Sequence, residues 1–342
     1  MPAFSIGVDL GGTNLRIAAI DEQGSLLEKL TLGTRVSRGR DWVVTQMCEA
    51  IQQVATKFQN GHTLRGIGIG VPGIIDMETG MVRESPNLPG WDDYPVREEI
   101  EQRLKARVIL ENDANAAAMG EKWLGAGRDF DDLCMITLGT GVGGGVVLNG
   151  RVWHGLSGMA GEIGHTTVDP NGPLCGCGNH GCLEAYASAT AIVRMAKEAI
   201  ARGEAPSLRR ACDAEPEFSS KIVYNLAIQG DSAAREIFRQ VGRAIGIVFS
   251  DIVNALNLPI YVVGGGASGA WEAFAPSLLE ELRCRSMVYA ATAPDWQGER
   301  HGASAKVAPP KAHRRTIVTK ALMGSDAGLY GAARLPMLNG EK

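Results

Sequence analysis

The sequence predicts an α/β protein of two lobes related by an internal duplication, and three observations carry that expectation. Two buried-strand patterns end in glycine turns: Phe4–Asp9 runs into Leu10-Gly11-Gly12-Thr13-Asn14, and Cys134–Leu138 runs into Gly139-Thr-Gly-Val-Gly-Gly-Gly145. Each turn is followed at once by a returning strand, Leu15–Ile20 in the first case and Val146–Leu148 in the second. Late in each half another strand ends on glycine, Gly66–Val71 at Pro72-Gly73 and Pro259–Val263 at Gly264-Gly265-Gly266. The order of elements repeats along with the turns, which two chance hairpins would not produce. A chain of 342 residues also suits two domains at ~150 residues each.

The remaining elements follow in order. A helix is expected from about Asp41 to Phe58, capped by Asp41, with Val43, Val44, Met47, Ile51 and Val54 as its apolar stripe. Val108–Leu110 reads as a short strand entering Glu111-Asn112-Asp113, where the alanine-rich helix Ala114–Leu124 begins. A boundary near 115–130 gives a small lobe of residues 1–120 and a large lobe of 121–325 facing it across a cleft. A final helix, about 326–336, is expected to cross back to the first lobe. Residues 293–315 mix Pro, Gly, Ala and basic residues without periodicity and read as a long surface loop.

Composition removes several function classes. The net charge of −4 argues against a general grip on nucleic acid or an anionic membrane, either of which needs a basic face. No segment approaches the roughly 20 apolar residues of a membrane span. The start, Met-Pro-Ala-Phe-Ser-Ile-Gly-Val-Asp, lacks signal-peptide features, so a cytoplasmic protein is expected. The 44 glycines are about 13% of the chain against a usual ~7%, which points to turns that approach something closely. Seven cysteines, three of them within eight residues, fit a metal site better than a disulfide framework.

The chemistry-bearing residues fall into three groups. Asp9, Gly11, Gly12 and Thr13 place a carboxylate, free backbone N–H groups and a hydroxyl at one sharp turn, a shape that suits phosphate oxygens and a water-bridged Mg²⁺. Gly139, Thr140 and Gly141 form a second such turn, and two of them favour a nucleotide site. Gly264, Gly265 and Gly266 leave room for a nucleoside to lie against the chain. It is neither a Walker loop nor a dinucleotide fingerprint, which require Gly-Lys-Ser/Thr or a following helix. Asn112 and Asp113 are either helix caps or, for Asp113, a base aimed at a substrate hydroxyl; local sequence supports both readings. His165, Cys175, Cys177 and Cys182 have the composition of a closed structural zinc site, with His180 as a competing ligand. Glu162 and Glu184 flank that cluster and read either as surface charges or, set beside a rigid metal knot, as acceptors of hydrogen bonds from sugar hydroxyls. Cys48, Cys134, Cys212 and Cys284 read as core residues.

Asp9-Leu-Gly-Gly-Thr13, Gly70-Val-Pro-Gly73, Glu111-Asn-Asp113, Leu138-Gly-Thr-Gly141, Gly161-Glu-Ile-Gly-His165, Cys175-Gly-Cys-Gly178 with Gly181-Cys-Leu-Glu184, and Val263-Gly-Gly-Gly266 together resemble the ROK family (repressors, open reading frames and sugar kinases) over nearly the whole chain. The bacterial glucokinases within that family are the nearest match. The resemblance implies a two-lobed actin-like (ribonuclease H-like) ATPase/sugar kinase fold. It implies ATP and Mg²⁺ as cofactors, a structural Zn²⁺, and a homodimer with a hexose, glucose foremost, as substrate. It also implies Asp113 as catalytic base, Asn87, Asn112, Asp113, Glu162, His165 and Glu184 as sugar contacts, and His165 with the three cysteines as the zinc ligands. N-acetylmannosamine, N-acetylglucosamine, allose and fructose are alternative substrates. A sugar-responsive repressor is disfavoured, since the first strand begins near Phe4 and leaves no room for a preceding DNA-binding module. The phosphate turns lie elsewhere in sequence, so loss of the metal is expected to weaken sugar binding more than nucleotide binding.

Overall fold

The computed structural model describes residues 1–58, 60–294 and 314–338, and the chain divides into two compact units. The first comprises residues 1–132, 145–161 and those from 322 onward; the second comprises 133–144 and 162–321.

The first unit begins with β1 (Ala3–Leu10), β2 (Asn14–Asp21), β3 (Leu26–Gly33) and α1 (Arg40–Thr56). β4 (Thr63–Val71), the hairpin β5 (Ile74–Asp76) and β6 (Met81–Glu84), α2 (Val96–Leu104), β7 (Val108–Asn112) and α3 (Asp113–Leu124) complete its first pass. Its sheet has the order β3-β2-β1-β4-β7, antiparallel through β3, β2 and β1 and parallel from β1 to β7. Alternation along β1 sends Phe4, Ile6, Val8 and Leu10 into a core shared with Val43, Val44, Met47 and Ile51 of α1. Ser5, Gly7 and Asp9 therefore point to the other face. Parallel register then sets Asp9 level with Gly70, and Gly70 level with Glu111, so strand ends bearing carboxylates share one edge.

The second unit is built from β8 (Leu133–Leu138), most of its partner β9 (Val142–Leu148) lying across the division, and β10 (Arg151–Val152) beyond it. Five helices follow: α4 (Glu184–Ala187), α5 (Ala189–Ala201), α6 (Pro206–Ala214), α7 (Ser220–Ile228) and the long α8 (Ser232–Leu256). β11 (Ile260–Gly264), α9 (Trp271–Arg285), α10 (Met287–Thr292) and β12 (Ile317–Lys320) end the unit. The second sheet has the order β10-β9-β8-β11-β12, the same path as the first, with β8, β11 and β12 parallel. This is the duplication that the repeated glycine turns predict, and each turn lies at the end of the central strand of its sheet.

The last helix, α11 (Ala327–Leu338), returns to the first unit and covers the Gly7 face of the sheet. A Cβ at Gly7 would collide with Leu329 O, one at Gly68 with Ala332 O, one at Gly331 with Ala116 O, and one at Gly120 with Ala327 O. Part of the glycine excess thus serves helix-on-sheet and helix-on-helix contact, a use the turn reading missed. Glu121 is fully buried near the end of α3. Its Oε2 accepts from Ala126 N (2.8 Å) and Leu322 N (3.1 Å), and its Oε1 from Met323 N (2.7 Å).

Several expectations need correction. α1 begins at Arg40 with Gly39 as its N-cap and no side-chain cap, so Asp41 lies inside the first turn, although the apolar stripe is buried as expected. The second glycine turn is shorter than expected, because Gly143–Gly145 are paired within β9. The units divide otherwise than 1–120 and 121–325, since α3 continues to Leu124 and residues 145–161 pack with the first unit. Cys48 and Cys134 are buried core residues, whereas Cys284 is exposed and Cys212 half-buried on their helices. Of the loop expected at 293–315, residues 295–313 lie outside the described residues. Among the described residues no helix is long and apolar enough to cross a membrane.

Because Glu121 alone satisfies three backbone donors, Glu121→Ala should lower stability by about 3 kcal/mol or more in urea unfolding. A change below ~1 kcal/mol would show that water or a backbone shift replaces the carboxylate.

Candidate functional site

In the first unit the edge formed by the parallel strand ends gathers six of the sequence candidates: Asp9, Gly11, Gly12, Asn87, Asn112 and Asp113. Asp9 closes β1; its Oδ2 meets Arg16 Nη1 at 3.3 Å, and Gly328 of α11 lies close to both its carboxyl and the backbone of Asp113. The turn after it is tight: Gly11 N donates to Asn14 O (2.9 Å), and Thr34 Oγ1 donates to Gly11 O (2.6 Å). Gly12 lies against the backbone of Asn87, which brings that exposed residue to the turn. Asn112 ends β7 and is the N-cap of α3, its Oδ1 accepting from Ala114 N (2.9 Å) and Asn115 N (3.2 Å), while its Nδ2 donates to Gly73 O (3.1 Å). Asp113 is therefore the first residue of the helix rather than its cap, with Oδ1 accepting from Ala114 N at 2.9 Å. Of the two readings that sequence left open, capping belongs to Asn112.

Burial lifts the Asp9 carboxyl from 3.8 to about 6; Arg16 opposes the shift, and the charges of Asp113 and Asp326 add to it. A carboxylate crowded by two others, with Arg16 beside it and Lys29 paired to Asp326, still favours its neutral form, the kind of site a hydrated cation relieves.

Sequence reasoning missed Glu111 and His154. Glu111 is buried; its Oε1 accepts from Asn112 N and Asn115 Nδ2, both at 3.0 Å, and its Oε2 meets His154 Nε2 at 2.7 Å. The hydrogen bond to Glu111 raises the His154 pKa against the opposing effect of burial. No spacing signal links residues 43 apart. Arg16 was missed as well, although the strand–turn–strand pattern could have found it as the antiparallel register partner of Asp9 across the glycine turn.

In the second unit the strand ends of β8 and β11 bring the other two glycine turns together. A Cβ at Gly265 would collide with the backbone of Leu138, so Gly264–Gly266 backs directly onto the start of Gly139–Gly141. The segment from Glu162 to Leu183 has little regular structure: a 3-10 turn at Ile163–His165 and isolated bridges Thr167–Cys182 and Leu174–His180. Glycines make its turns possible. Gly178 and Gly181 have φ of 88° and 68°, and a side chain at Gly181 would strike Asp169 O.

One ligand atom each from His165, Cys175, Cys177 and Cys182 lies within 4.8 Å of the others. Cys177 Sγ is 3.7 Å from Cys182 Sγ, and Cys175 Sγ is 3.7 Å from His165 Nδ1. A tetrahedron with Zn–S bonds of ~2.3 Å has edges of about 3.8 Å, so the donor set fits zinc in size as well as chemistry. The thiols also need a cation to ionise together. Burial, followed by the neighbouring Cys177 and Cys175, pushes Cys182 up to about 12, and burial raises Cys175, while the Asn179 backbone N–H lowers Cys177. His180 is outside the set, its Nδ1 donating to Gly172 O at 3.0 Å. With Nδ1 of His165 turned to the cysteines, its Nε2 faces the Glu162 carboxylate at 3.9 Å. Glu184 opens α4 directly after the cluster; its Oε2 accepts from Val142 N (2.9 Å), and its Oε1 lies 3.7 Å from Cys175 Sγ.

Comparison with known proteins matches residues 5–337 to the ROK family. The glucokinase of Thermotoga maritima is 41% identical over 277 residues, 81% of this chain and 86% of its own. A crystal structure of a ROK family glucokinase from Streptomyces griseus in complex with glucose and AMPPNP is 34% identical, covers 97% of this chain and 98% of its own, and superposes with a TM-score of 0.76. The N-acetylmannosamine kinase of Escherichia fergusonii is 33% identical over 261 residues, 76% of this chain and 82% of its own. Xylose repressors show similarity at 31–33% identity. The two α/β units with matching sheets have the actin-like fold of the ROK hexokinase and glucokinase structures.

Two outcomes follow from the geometry. About one zinc per chain should be found by metal analysis, and Cys177→Ser should hold it at least ~10-fold more weakly; full zinc retention by that variant would remove Cys177 from the ligand set. Asp9 binds its proton more tightly in the folded than in the unfolded chain. Its contribution thus favours folding below about pH 4 and is lost as pH rises through 6. Without magnesium, Asp9→Asn should therefore be more stable than the native chain by about 2 kcal/mol at pH 7.5, with the gap closing near pH 4. Equal gaps at both pH values in urea unfolding would contradict this.

Proposed function

This chain belongs to the ROK family, and from that premise we propose that it transfers the γ-phosphoryl group of ATP to the 6-hydroxyl of glucose, with Asp113 as the base. The observation that carries the reading is the division of labour at the start of α3. Asn112 satisfies the helix N-terminus through its own side chain, so Asp113 is not needed for capping and occupies the first turn, where the helix dipole favours its ionised form. A carboxylate of that kind takes the proton of the sugar hydroxyl as the oxygen attacks the γ-phosphorus, and ADP leaves as the P–O bond breaks.

The other roles follow the same logic. Asn87 and Asn112 supply amide groups to the sugar, and Glu162, His165 and Glu184 supply acceptors and one directed imidazole Nε2. That nitrogen has a defined orientation because Nδ1 is turned to the cysteines. Asp9 would hold the Mg²⁺ that accompanies ATP, and that ion would supply neutralising charge to the phosphates. Gly12 and Thr13, together with Thr140 and Gly141, supply backbone and hydroxyl donors to ATP, while Gly11 and Gly139 use their N–H groups to close the turns on Asn14 O and Gly141 O. Gly266 leaves room for the nucleoside, whereas Gly264 and Gly265 are glycine because Met135 and Leu138 pack against them. The zinc is structural, because four protein ligands leave no open position for substrate.

The similarity to an N-acetylmannosamine kinase keeps the choice of hexose as the point to measure. In a coupled ADP-release assay over glucose, allose, fructose, N-acetylglucosamine and N-acetylmannosamine, glucose should give the highest kcat/KM. Preference for an N-acetylated sugar would replace glucose while leaving the kinase reading in place. Glucose binding without sugar-dependent ADP release would favour a sugar-sensing regulator of the kind found among the similar xylose repressors. Asp113→Asn should fold normally, since Asn112 does the capping, and should lose at least ~10²-fold in kcat. Wild-type turnover by that variant would remove Asp113 as the base.

A further inference from the structure

The turn Gly139–Gly141 and the metal cluster are far apart in sequence, yet in the second unit they share a support. Val142, the first residue of β9, is held at both of its backbone groups. Its N–H donates to Glu184 Oε2 at 2.9 Å, and its carbonyl lies against Gly164, where a Cβ would collide with it. Gly164 sits between Glu162 and the ligand His165, and Glu184 follows the ligand Cys182 by two residues. The other carboxylate oxygen of Glu184 lies 3.7 Å from the ligand Cys175. A Cβ at Gly141 would collide with Glu184 Oε2, so glycine there is what lets the glutamate approach the turn.

The same stretch of chain grips the turn a second time. Ala189 N donates to Gly139 O and Thr190 Oγ1 donates to Thr140 O, each at 2.8 Å, from the first residues of α5. Gly139 N closes the turn on Gly141 O at 2.9 Å. Three backbone groups, the carbonyls of Gly139 and Thr140 and the N–H of Val142, therefore depend on residues 184–190, which begin two residues after the last cysteine ligand.

We infer that Glu184 is a positioning residue for the 139–141 turn, linking the four-ligand metal cluster to the nucleotide contacts as well as to the sugar, with Thr190 as a second tie. The inference rests on the proposed role of that turn in binding ATP. It reverses the expectation that metal loss spares nucleotide binding, because separation in sequence is not separation in space.

The test uses the full-length zinc-loaded protein, Mg-ADP as probe in calorimetric titration without sugar, and circular dichroism to verify folding. Glu184→Ala should weaken Mg-ADP binding by about 5- to 10-fold, as expected for loss of one buried hydrogen bond. Glu184→Gln retains a carbonyl that accepts from Val142 N and should bind Mg-ADP within about 2-fold of native. Thr190→Val, at an exposed position outside the sugar contacts, should weaken Mg-ADP several-fold while zinc content and glucose affinity stay native. Removing zinc by gentle chelation should weaken Mg-ADP and glucose binding together. Native Mg-ADP affinity in folded Glu184→Ala and Thr190→Val would overturn the inference and leave the kinase reading intact. Failure of the native protein to bind Mg-ADP would overturn both.

Discussion

The constraint on which the second unit's candidate residues depend is the close approach of three thiols and an imidazole in a segment otherwise held by turns and scattered backbone hydrogen bonds. Between Glu162 and Leu183 there is one short 3-10 turn and two isolated bridges. Such a segment has few buried apolar contacts with which to offset the entropy of ordering it. Thiols this close resist ionising together unless a cation neutralises them, so a metal held by them would couple its binding to the order of this segment. Glu162, His165 and Glu184 belong to that segment or border it, and the proposed sugar contacts would take their support from it.

The first unit reaches the same end by a different route. Its candidate residues need no metal scaffold, because they sit at the ends of parallel strands whose register is set by a core on one side and α11 on the other. The glycines at 7, 68, 120 and 331 let that helix come close enough to bury the Asp9 face of the sheet. The consequence is a carboxylate lifted to about 6 at the position proposed for magnesium. Ionised Asp9 at neutral pH therefore costs the unit stability, which a cation bound at the proposed magnesium position would restore.

The legibility of the chain follows the range of the interactions concerned. Strand–glycine–strand patterns are local, so each turn was readable from Asp9–Thr13 and Leu138–Gly141, and the duplication from the same order of elements recurring up to Pro72-Gly73 and Gly264–Gly266. The ligand cluster was readable because its four members lie within eighteen residues and glycines surround them. Sequence did not reveal what glycine was for at positions 7, 68, 120 and 331, since those contacts join elements up to the full length of the unit apart. Nor did it reveal the Glu111–His154 pair, the return of residues 145–161 to the first unit, or the tie from Glu184 to Val142. Asn112 and Asp113 are adjacent residues of similar capping propensity, and only the backbone conformation at Asn112 assigns the cap to it.

The support provided by the metal cluster can be measured without reference to catalysis, by hydrogen exchange of the native and zinc-depleted protein resolved to peptides. Loss of zinc should strip protection from residues 162–183 and, with them, from the segment carrying the Val142 amide and from the first turn of α5, while β1 and β4 keep theirs. Unchanged protection at Val142 in a protein whose 162–183 segment has opened would show that the turn stands on its own, and the cluster would then organise nothing beyond its own loop.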